Sequence, residues 1–260
     1  MNSLSEDTIE EIAAVLDKAT QEASPVEQIS KQHTYSVAEA YQIQSAGIDL
    51  RYERGEDFLG IKMGFTSKAK MQQMGVNELI WGVLTDRMLI RNDGKLKTER
   101  LIHPRVEPEL CFLVKKPIDK EIKESDLGEY IGAVAPAVEI IDSRYADFKF
   151  SLEDVIADNC SGAAMVLGTW YPTSHDPVND LKIELLINGE LVHKDMSSAI
   201  LGDPWQSVIE CSKLMGKYGQ FIPEGSFILA GAATPAVHVQ KRDKVLMRVD
   251  GQDEVMFEVV

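Results

Sequence analysis

The sequence predicts an α+β protein in which two N-terminal helices precede a β-rich body with antiparallel or mixed strand pairing. Long helical periodicity is concentrated in residues 1–55. The last hundred residues hold successive strand patterns interrupted by one helix, and strands that do not alternate with helices argue against a doubly wound sheet. No phosphate-cradling glycine loop or dinucleotide fingerprint is present. With 260 residues, 44% of them hydrophobic and 27% charged, the chain has the makeup of an ordinary globular protein with a sizeable core. We expect a helical arm over residues 1–55 and one main domain over 56–260, without internal repeats or low-complexity stretches.

The first helix opens at Ser5, with Glu6 and Asp7 in its first turn and Ile9, Ile12, Val15, Leu16 and Ala19 at helical spacing. Pro25 interrupts the polar stretch that follows. Ser36 starts a second helix whose packing face is Ala40, Ile43, Ala46, Gly47 and Leu50, with Arg51 and Arg54 outside. Phe58 to Gly64 then reads as a short buried strand carrying Lys62. A buried lysine needs a partner. It is either a snorkelling side chain at a strand end or an ammonium aimed at a substrate carboxylate or enolate. Thr66 and Ser67 are expected to cap a helix through Gln73 that Gly75 closes. The apolar run Leu79 to Leu84 is expected to bend at Gly82, and the Asp93-Gly94 turn signal makes residues 87–101 a hairpin.

That hairpin feeds the stretch on which the functional reading rests, Arg105-Val106-Glu107-Pro108-Glu109-Leu110-Cys111-Phe112. Period-two alternation places Arg105, Glu107, Glu109 and Cys111 on one face and Val106, Leu110 and Phe112 on the other. Two ionised carboxylates about 6–7 Å apart repel by roughly 2–3 kcal/mol at an effective dielectric of about 20, which a buried site offsets with a cation or a proton. Glu139, isolated between Val138 and Ile140, is a third carboxylate out of place in an apolar stretch. Three oxygen ligands without His or Cys suit a hard ion such as magnesium. The same alternation also describes a sheet wetted on one side. Pro108, which cannot donate to a ladder, calls for an edge strand or a bulge.

Beyond it, Ser125 to Glu129 begins a short helix, and Asp158-Asn159 lies where a loop leaves an apolar segment, a pattern that fits either a site or simple turn chemistry. Ile183 to Ile187, an Asn188-Gly189 turn and Glu190 to Val192 form a hairpin; Pro204 to Met215 is a helix; Phe227 to Gly231 and a final Val245 to Val249 are strands. The net charge of −15, without clustered Lys and Arg, excludes a nucleic-acid binder. Cys111, Cys160 and Cys211 are odd in number and lack zinc spacing, which fits small core residues in a reducing cytoplasm. No apolar run reaches the roughly 20 residues of a membrane span, and the acidic N-terminus has no signal-peptide pattern, so a cytosolic protein is expected.

Taken together, Gly60-Ile61-Lys62-Met63-Gly64-Phe65-Thr66-Ser67, Pro104-Arg105-Val106-Glu107-Pro108-Glu109, Pro136 through Arg144 and Ala157-Asp158-Asn159 resemble the 2-oxopent-4-enoate hydratase and 4-oxalocrotonate decarboxylase group of the fumarylacetoacetase-like superfamily. The likeness runs over nearly the whole chain. It implies a rolled, mixed, largely antiparallel sheet, magnesium or manganese held by Glu107, Glu109 and Glu139, and Lys62 as a catalytic residue. It further implies Ile80, Trp81 and Ser161 as substrate-binding residues.

Hydratases of this group resemble one another in an Asp-Phe-Gly where this chain has Ile80-Trp81-Gly82, and decarboxylases resemble it there, in Ala69-Lys70-Met71 and in Tyr145 through Phe150. The implied reaction is metal-dependent loss of CO2 from 2-oxo-3-hexenedioate (4-oxalocrotonate), a 2-oxo dicarboxylate, to give 2-hydroxypenta-2,4-dienoate. The alternatives are the hydratase of that dienoate, a hydrolase of related acylpyruvates, or a non-catalytic scaffold that kept the fold. The likeness also implies a homo-oligomer and a hydratase partner. Ala230 to Thr234 and Lys241 to Lys244 match the group's C-terminal segments only loosely.

Overall fold

Local signals at the N-terminus produce the helices they announce. In the computed structural model, which describes residues 3–66, 78–173 and 175–260, the Ser5 hydroxyl accepts from the Thr8 N–H and starts helix α1 (Glu6–Glu22), which buries Ile12, Ala13, Leu16 and Ala19. Helix α2 (Val37–Glu53) opens with a reciprocal cap: Ser36 Oγ accepts from Glu39 N, and Glu39 Oε2 accepts from Ser36 N at 2.7 Å. Its packing face differs from the expected one. Tyr41, Gln44 and Ile48 are buried beside Ala40 and Ile43, whereas Ala46, Gly47 and Leu50 are partly covered. Arg51, expected outside, keeps only 12% of its side chain exposed and sits 3.9 Å from Glu56, because the cavity it lines is closed by Leu16, Asp17 and Thr20 of α1.

The remaining elements are β1 (Phe58–Gly64), β2 (Ile80–Thr85), β3 (Leu89–Ile90), β4 (Gly94–Leu96), β5 (Arg105–Val114), α3 (Leu127–Tyr130), β6 (Ile131–Ile141), α4 (Leu152–Ala157), β7 (Gly162–Leu167), β8 (Tyr171–Pro172), β9 (Lys182–Ile187), β10 (Glu190–Met196), α5 (Trp205–Lys217), β11 (Phe227–Leu229), β12 (Val237–His238), β13 (Lys244–Val249) and β14 (Val255–Val259). The helix expected between Thr66 and Gly75, and the Ala69-Lys70-Met71 match, lie outside the described residues.

Among the described residues the strands form two sheets, one in the order β2-β1-β11-β5-β6-β7-β3 with β12 on β5 and β8 on β6, the other in the order β10-β9-β13-β14-β4. Pairing is antiparallel except at β1/β11, β3/β7 and β4/β14. The architecture is therefore the mixed, largely antiparallel curled sheet with N-terminal helices that was expected. No helix among the described residues is long and apolar enough to cross a membrane. All three cysteines are buried and free.

Three local expectations need correction. β5 is neither an edge nor bulged at Pro108, which pairs with Val138 in unbroken register. On its other side β5 is paired by β11 at Cys111 to Leu113 and by β12 at Arg105 and Val106. Pro108 falls in the gap between them, where its carbonyl accepts from Ala233 N at 2.9 Å and a ladder N–H is not needed. Residues 87–101 are not a hairpin. The Asp93-Gly94 turn forms, with Asp93 at φ 62°, but β3 joins the first sheet and β4 the second. Asn92 and Asp93 dock the turn on β14, through Asn92 Oδ1 to Met256 N and Asp93 N to Met256 O. β14 itself follows the strand expected to be last. Its alternating burial, with Val255, Phe257 and Val259 inside, completes the second sheet.

Candidate active site

The register of β5 against β6 builds the site. Glu107 lies directly opposite Glu139, and Glu109, two residues along, shares their face. One carboxylate oxygen from each of the three lies within 4.8 Å of the others. The residues are 7%, 0% and 1% exposed, so the alternative of a strand wetted on one side does not hold: β5 is covered on both faces. Glu109 Oε2 accepts from Gly231 N at 2.8 Å, while its Oε1 is buried without a hydrogen-bond donor. The Gly231 approach demands glycine. Its φ is +98°, and an added Cβ would stand 2.0 Å from Thr66 Oγ1. Helix α5 supports this corner through Ser207 Oγ, which donates to the Ala230 carbonyl at 2.7 Å.

Lys62 reaches the same cluster from β1. In a flat sheet β1 and β6 would lie about 14 Å apart, three strand spacings, beyond the reach of a lysine and a glutamate together. Curvature closes that distance, and Lys62 Nζ lies 2.6 Å from Glu139 Oε1 and donates to the Cys160 carbonyl at 2.7 Å. Burial pulls the ammonium's pKa down, but the Glu139 charge, with Cys160 and Glu107, outweighs it and leaves Lys62 above its ordinary value. Burial, reinforced by the charges of Glu139 and Glu107, lifts Glu109 well above the carboxylate range. Burial also raises Glu139, against the opposing pull of Lys62.

The Cys160 carbonyl is presented by an unusual turn. Asn159, Cys160 and Ser161 are three consecutive non-glycine residues with φ of 48°, 51° and 58°, a costly left-handed run that persists only because its surroundings fix it. Asn159 clamps β2 by accepting from Val83 N at 2.7 Å and donating to Val83 O at 2.9 Å, so its role is more than the turn chemistry its type suggests. Gly82 does not bend β2, whose pairing with β1 is in register there. It makes room: a Cβ would meet Asn159 O and Oδ1 at 2.9 Å. Burial pushes the Cys160 thiol up to about 12, and its Sγ donates to the Trp81 carbonyl at 3.0 Å.

A cavity of about 980 Å³ opens onto this cluster, with Lys62, Ile80, Arg105, Glu107, Glu139 and Ser161 on its wall. Ser161 Oγ is buried without a hydrogen-bond partner. Ile80 and Trp81, paired in the sequence reading, are separated by strand alternation. Ile80 faces the cavity; Trp81 stacks on Tyr41 with ring centroids 5.0 Å apart and is not part of the wall. Arg105 and Phe148 on the wall had no assigned role, although the alternation that grouped Arg105 with Glu107 already placed it on that face.

Residues 67–260 match the family described as fumarylacetoacetate (FAA) hydrolase, C-terminal. The chain belongs to the FAA hydrolase family. A 4-oxalocrotonate decarboxylase of Pseudomonas sp. is 42% identical over 96% of this chain and 97% of its own length. A 2-keto-4-pentenoate hydratase of Paraburkholderia xenovorans (strain LB400) is 30% identical over 96% of this chain and 94% of its own. Among solved structures, 4-oxalocrotonate decarboxylase from Pseudomonas putida G7, complexed with magnesium and adipate, superposes with a TM-score of 0.96 at 31% identity, covering all of both chains. This FAA hydrolase family member is thus similar over more than nine-tenths of its length to both kinds of lyase.

Chemically, the cluster fits a hard divalent cation. Its donors are all carboxylate oxygens, a local concentration of negative charge, and Glu109 Oε1 has no hydrogen-bond donor among the described residues. The FAA hydrolase fold contributes the curled sheet that puts this charge at the end of a large cavity rather than in a sealed core.

Proposed function

We propose that this chain is a metal-dependent decarboxylase that converts 2-oxo-3-hexenedioate to 2-hydroxypenta-2,4-dienoate and CO2. The observation that carries this reading is the buried Glu107, Glu109 and Glu139 cluster, ion-paired with Lys62, whose Glu107 and Glu139 line a cavity beside the apolar Ile80. The three glutamates would hold magnesium or manganese. When bound, the ion supplies Lewis-acid stabilisation of charge on the 2-oxo oxygen, worth several kcal/mol. The likeness to the decarboxylase that binds magnesium and adipate supports the assignment.

In this reaction the bond to the distal carboxylate breaks, CO2 leaves, and the electron pair moves through the conjugated system to the 2-oxo oxygen, which takes up a proton. Lys62 serves this step. It is held charged by Glu139 and supplies positive charge and a proton at that oxygen. Ser161 Oγ, with no partner among the described residues, is free to donate to the bound substrate. Ile80 excludes water from the conjugated carbons, where a carboxylate in its place would favour hydration. Trp81 acts indirectly, by fixing β2 through its stack on Tyr41.

The test is an NMR time course with magnesium and freshly prepared 2-oxo-3-hexenedioate, run beside a chelated control. Metal-dependent accumulation of 2-hydroxypenta-2,4-dienoate is expected. No consumption of that substrate, with hydration of the dienoate instead, would replace this reading with the hydratase.

We further propose that residues 1–55 form an arm on a catalytic domain of residues 56–260, that the chain works in the cytoplasm, and that it self-associates and docks with a hydratase that consumes its product. Leu191, Val192 and Met196, exposed on the edge strand β10, support an association surface. Light scattering of the protein alone and with a hydratase tests both contacts.

A further inference from the structure

We infer that Arg105 is the residue that holds the distal carboxylate of the substrate. The inference rests on the decarboxylase reading above. A six-carbon dicarboxylate anchored at the glutamate cluster carries its second carboxylate about 6 Å further along the cavity. Lys62, two of whose donors go to Glu139 and the Cys160 carbonyl, is assigned to the 2-oxo oxygen at the opposite end of the substrate. A second cation on the wall is required, and among the described residues the wall offers only Arg105 and Lys149 besides Lys62. Lys149 has 76% of its side chain exposed and pairs with Asp147 at 3.6 Å, so water and a neighbour already meet its charge.

Arg105 differs in each respect. It is half-buried and lies two residues from Glu107 on the same face of β5, which puts its Cα about 7 Å from that of a cluster glutamate. No carboxylate of the described residues pairs with it; its guanidinium instead lies over the Phe148 ring, 4.0 Å from the centroid. That ring is fixed from two sides, 5.0 Å from His103 and 5.7 Å from Phe150, and its backbone holds a left-handed φ of 58°. A cation–π contact of this kind leaves the guanidinium charged and with N–H donors for a carboxylate. Phe148 thereby positions the guanidinium without neutralising it. Asp195 also reaches the wall, but its Oδ1 accepts from Met196 N.

The chemistry sets the kinetic signature. The distal carboxylate loses its charge as CO2 departs, so an ion pair to it is stronger before the transition state than within it. Arg105 therefore acts in binding and orientation and not in lowering the barrier. Substituting Arg105→Gln is expected to raise KM for 2-oxo-3-hexenedioate at least tenfold while kcat changes less than threefold or rises; Arg105→Lys recovers part of the loss. Independently of turnover, calorimetry on the magnesium-loaded protein compares adipate with hexanoate. The wild type and Lys149→Met should prefer adipate at least tenfold, and Arg105→Gln, checked for an unchanged melting temperature, should not.

A wild type that turns over the substrate while Arg105→Gln keeps the adipate preference and the KM overturns the role of Arg105 alone. A wild type without turnover and without adipate preference overturns the decarboxylase reading and this inference together. A kcat that falls with KM unchanged refutes the binding role.

Discussion

Replacing Glu109 or Glu139 by Gln removes the same charge from the same cluster, yet the structure predicts opposite effects on the metal-free protein. Glu139 is the counter-ion of a fully buried ammonium, 2.6 Å from Lys62 Nζ, a gross attraction of about 6 kcal/mol at an effective dielectric of about 20. Glu139→Gln strands that charge, and breaking a buried pair from one side costs about 3–5 kcal/mol. Glu109 faces two other carboxylates within 4.8 Å, each repelling it by about 3 kcal/mol or more at the same dielectric when ionised. Gln keeps an acceptor for the Gly231 N–H and relieves that repulsion, so Glu109→Gln should leave the metal-free protein unchanged or more stable by about 1–2 kcal/mol.

The sign with pH follows from the raised pKa of Glu109, caused by burial and its two acidic neighbours. A raised acid contributes stability below its unfolded value near 4.3 and loses it as pH rises through the folded value. The advantage of Glu109→Gln over wild type should therefore grow from about pH 4 to pH 8. The assay is denaturant unfolding with chelator present, followed by magnesium titration by calorimetry, in which both variants should lose at least tenfold in affinity. Equal destabilisation of the metal-free forms would refute the electrostatic argument, and wild-type magnesium affinity in either variant would remove that residue from the ligand set.

Three further outcomes are expected. Asp154 accepts from Ser30 N and Oγ, Tyr35 Oη and Ser151 N; burial raises its pKa, but these bonds win and hold it below the usual value. Its stabilisation is present above its unfolded value and lost as pH falls through the folded one, so Asp154→Asn should cost about 2–3 kcal/mol at pH 7 and less below about pH 4, measured by unfolding at both. Gly82→Ala drives a methyl to 2.9 Å from Asn159 and 3.1 Å from Lys62 Cγ. It should cost about 1–3 kcal/mol and reduce kcat; an unchanged melting temperature and turnover would show that the left-handed turn yields freely. Ser161→Ala removes a hydroxyl that bonds nothing among the described residues, so stability should hold within about 0.5 kcal/mol while kcat/KM falls at least tenfold, and a stability loss without a kinetic one would assign Ser161 to the fold.

Several features were legible because they are encoded within a few residues. The Ser5 and Ser36 caps, the Asn188-Gly189 hairpin and the alternation that aligned Glu107 with Glu109 all depend on local geometry. The Asp93-Gly94 turn was legible as a turn but not as a crossing between sheets, since the partners that receive β3 and β4 lie far along the chain, in β7 and β14. Pro108 misled because its missing N–H matters only if a strand runs beside it, and that neighbour is split between β11 and β12. Alternation separated Ile80 from Trp81 by faces, but which face meets a cavity depends on what packs over each.

The sequence alone therefore determined the two N-terminal helices, several strands and turns, and which carboxylates share a strand face, and its resemblance to a family pointed to a metal-dependent lyase. Only the tertiary structure decided that Glu139 stands opposite Glu107 and that Lys62 completes the cluster. It also set Arg105 free of any described counter-ion beside the cavity. The physical reason is range: caps and alternation act over one or two turns of chain, whereas register and sheet curvature are fixed by the packing of the whole core, and a buried charge finds its partner only where that packing delivers one.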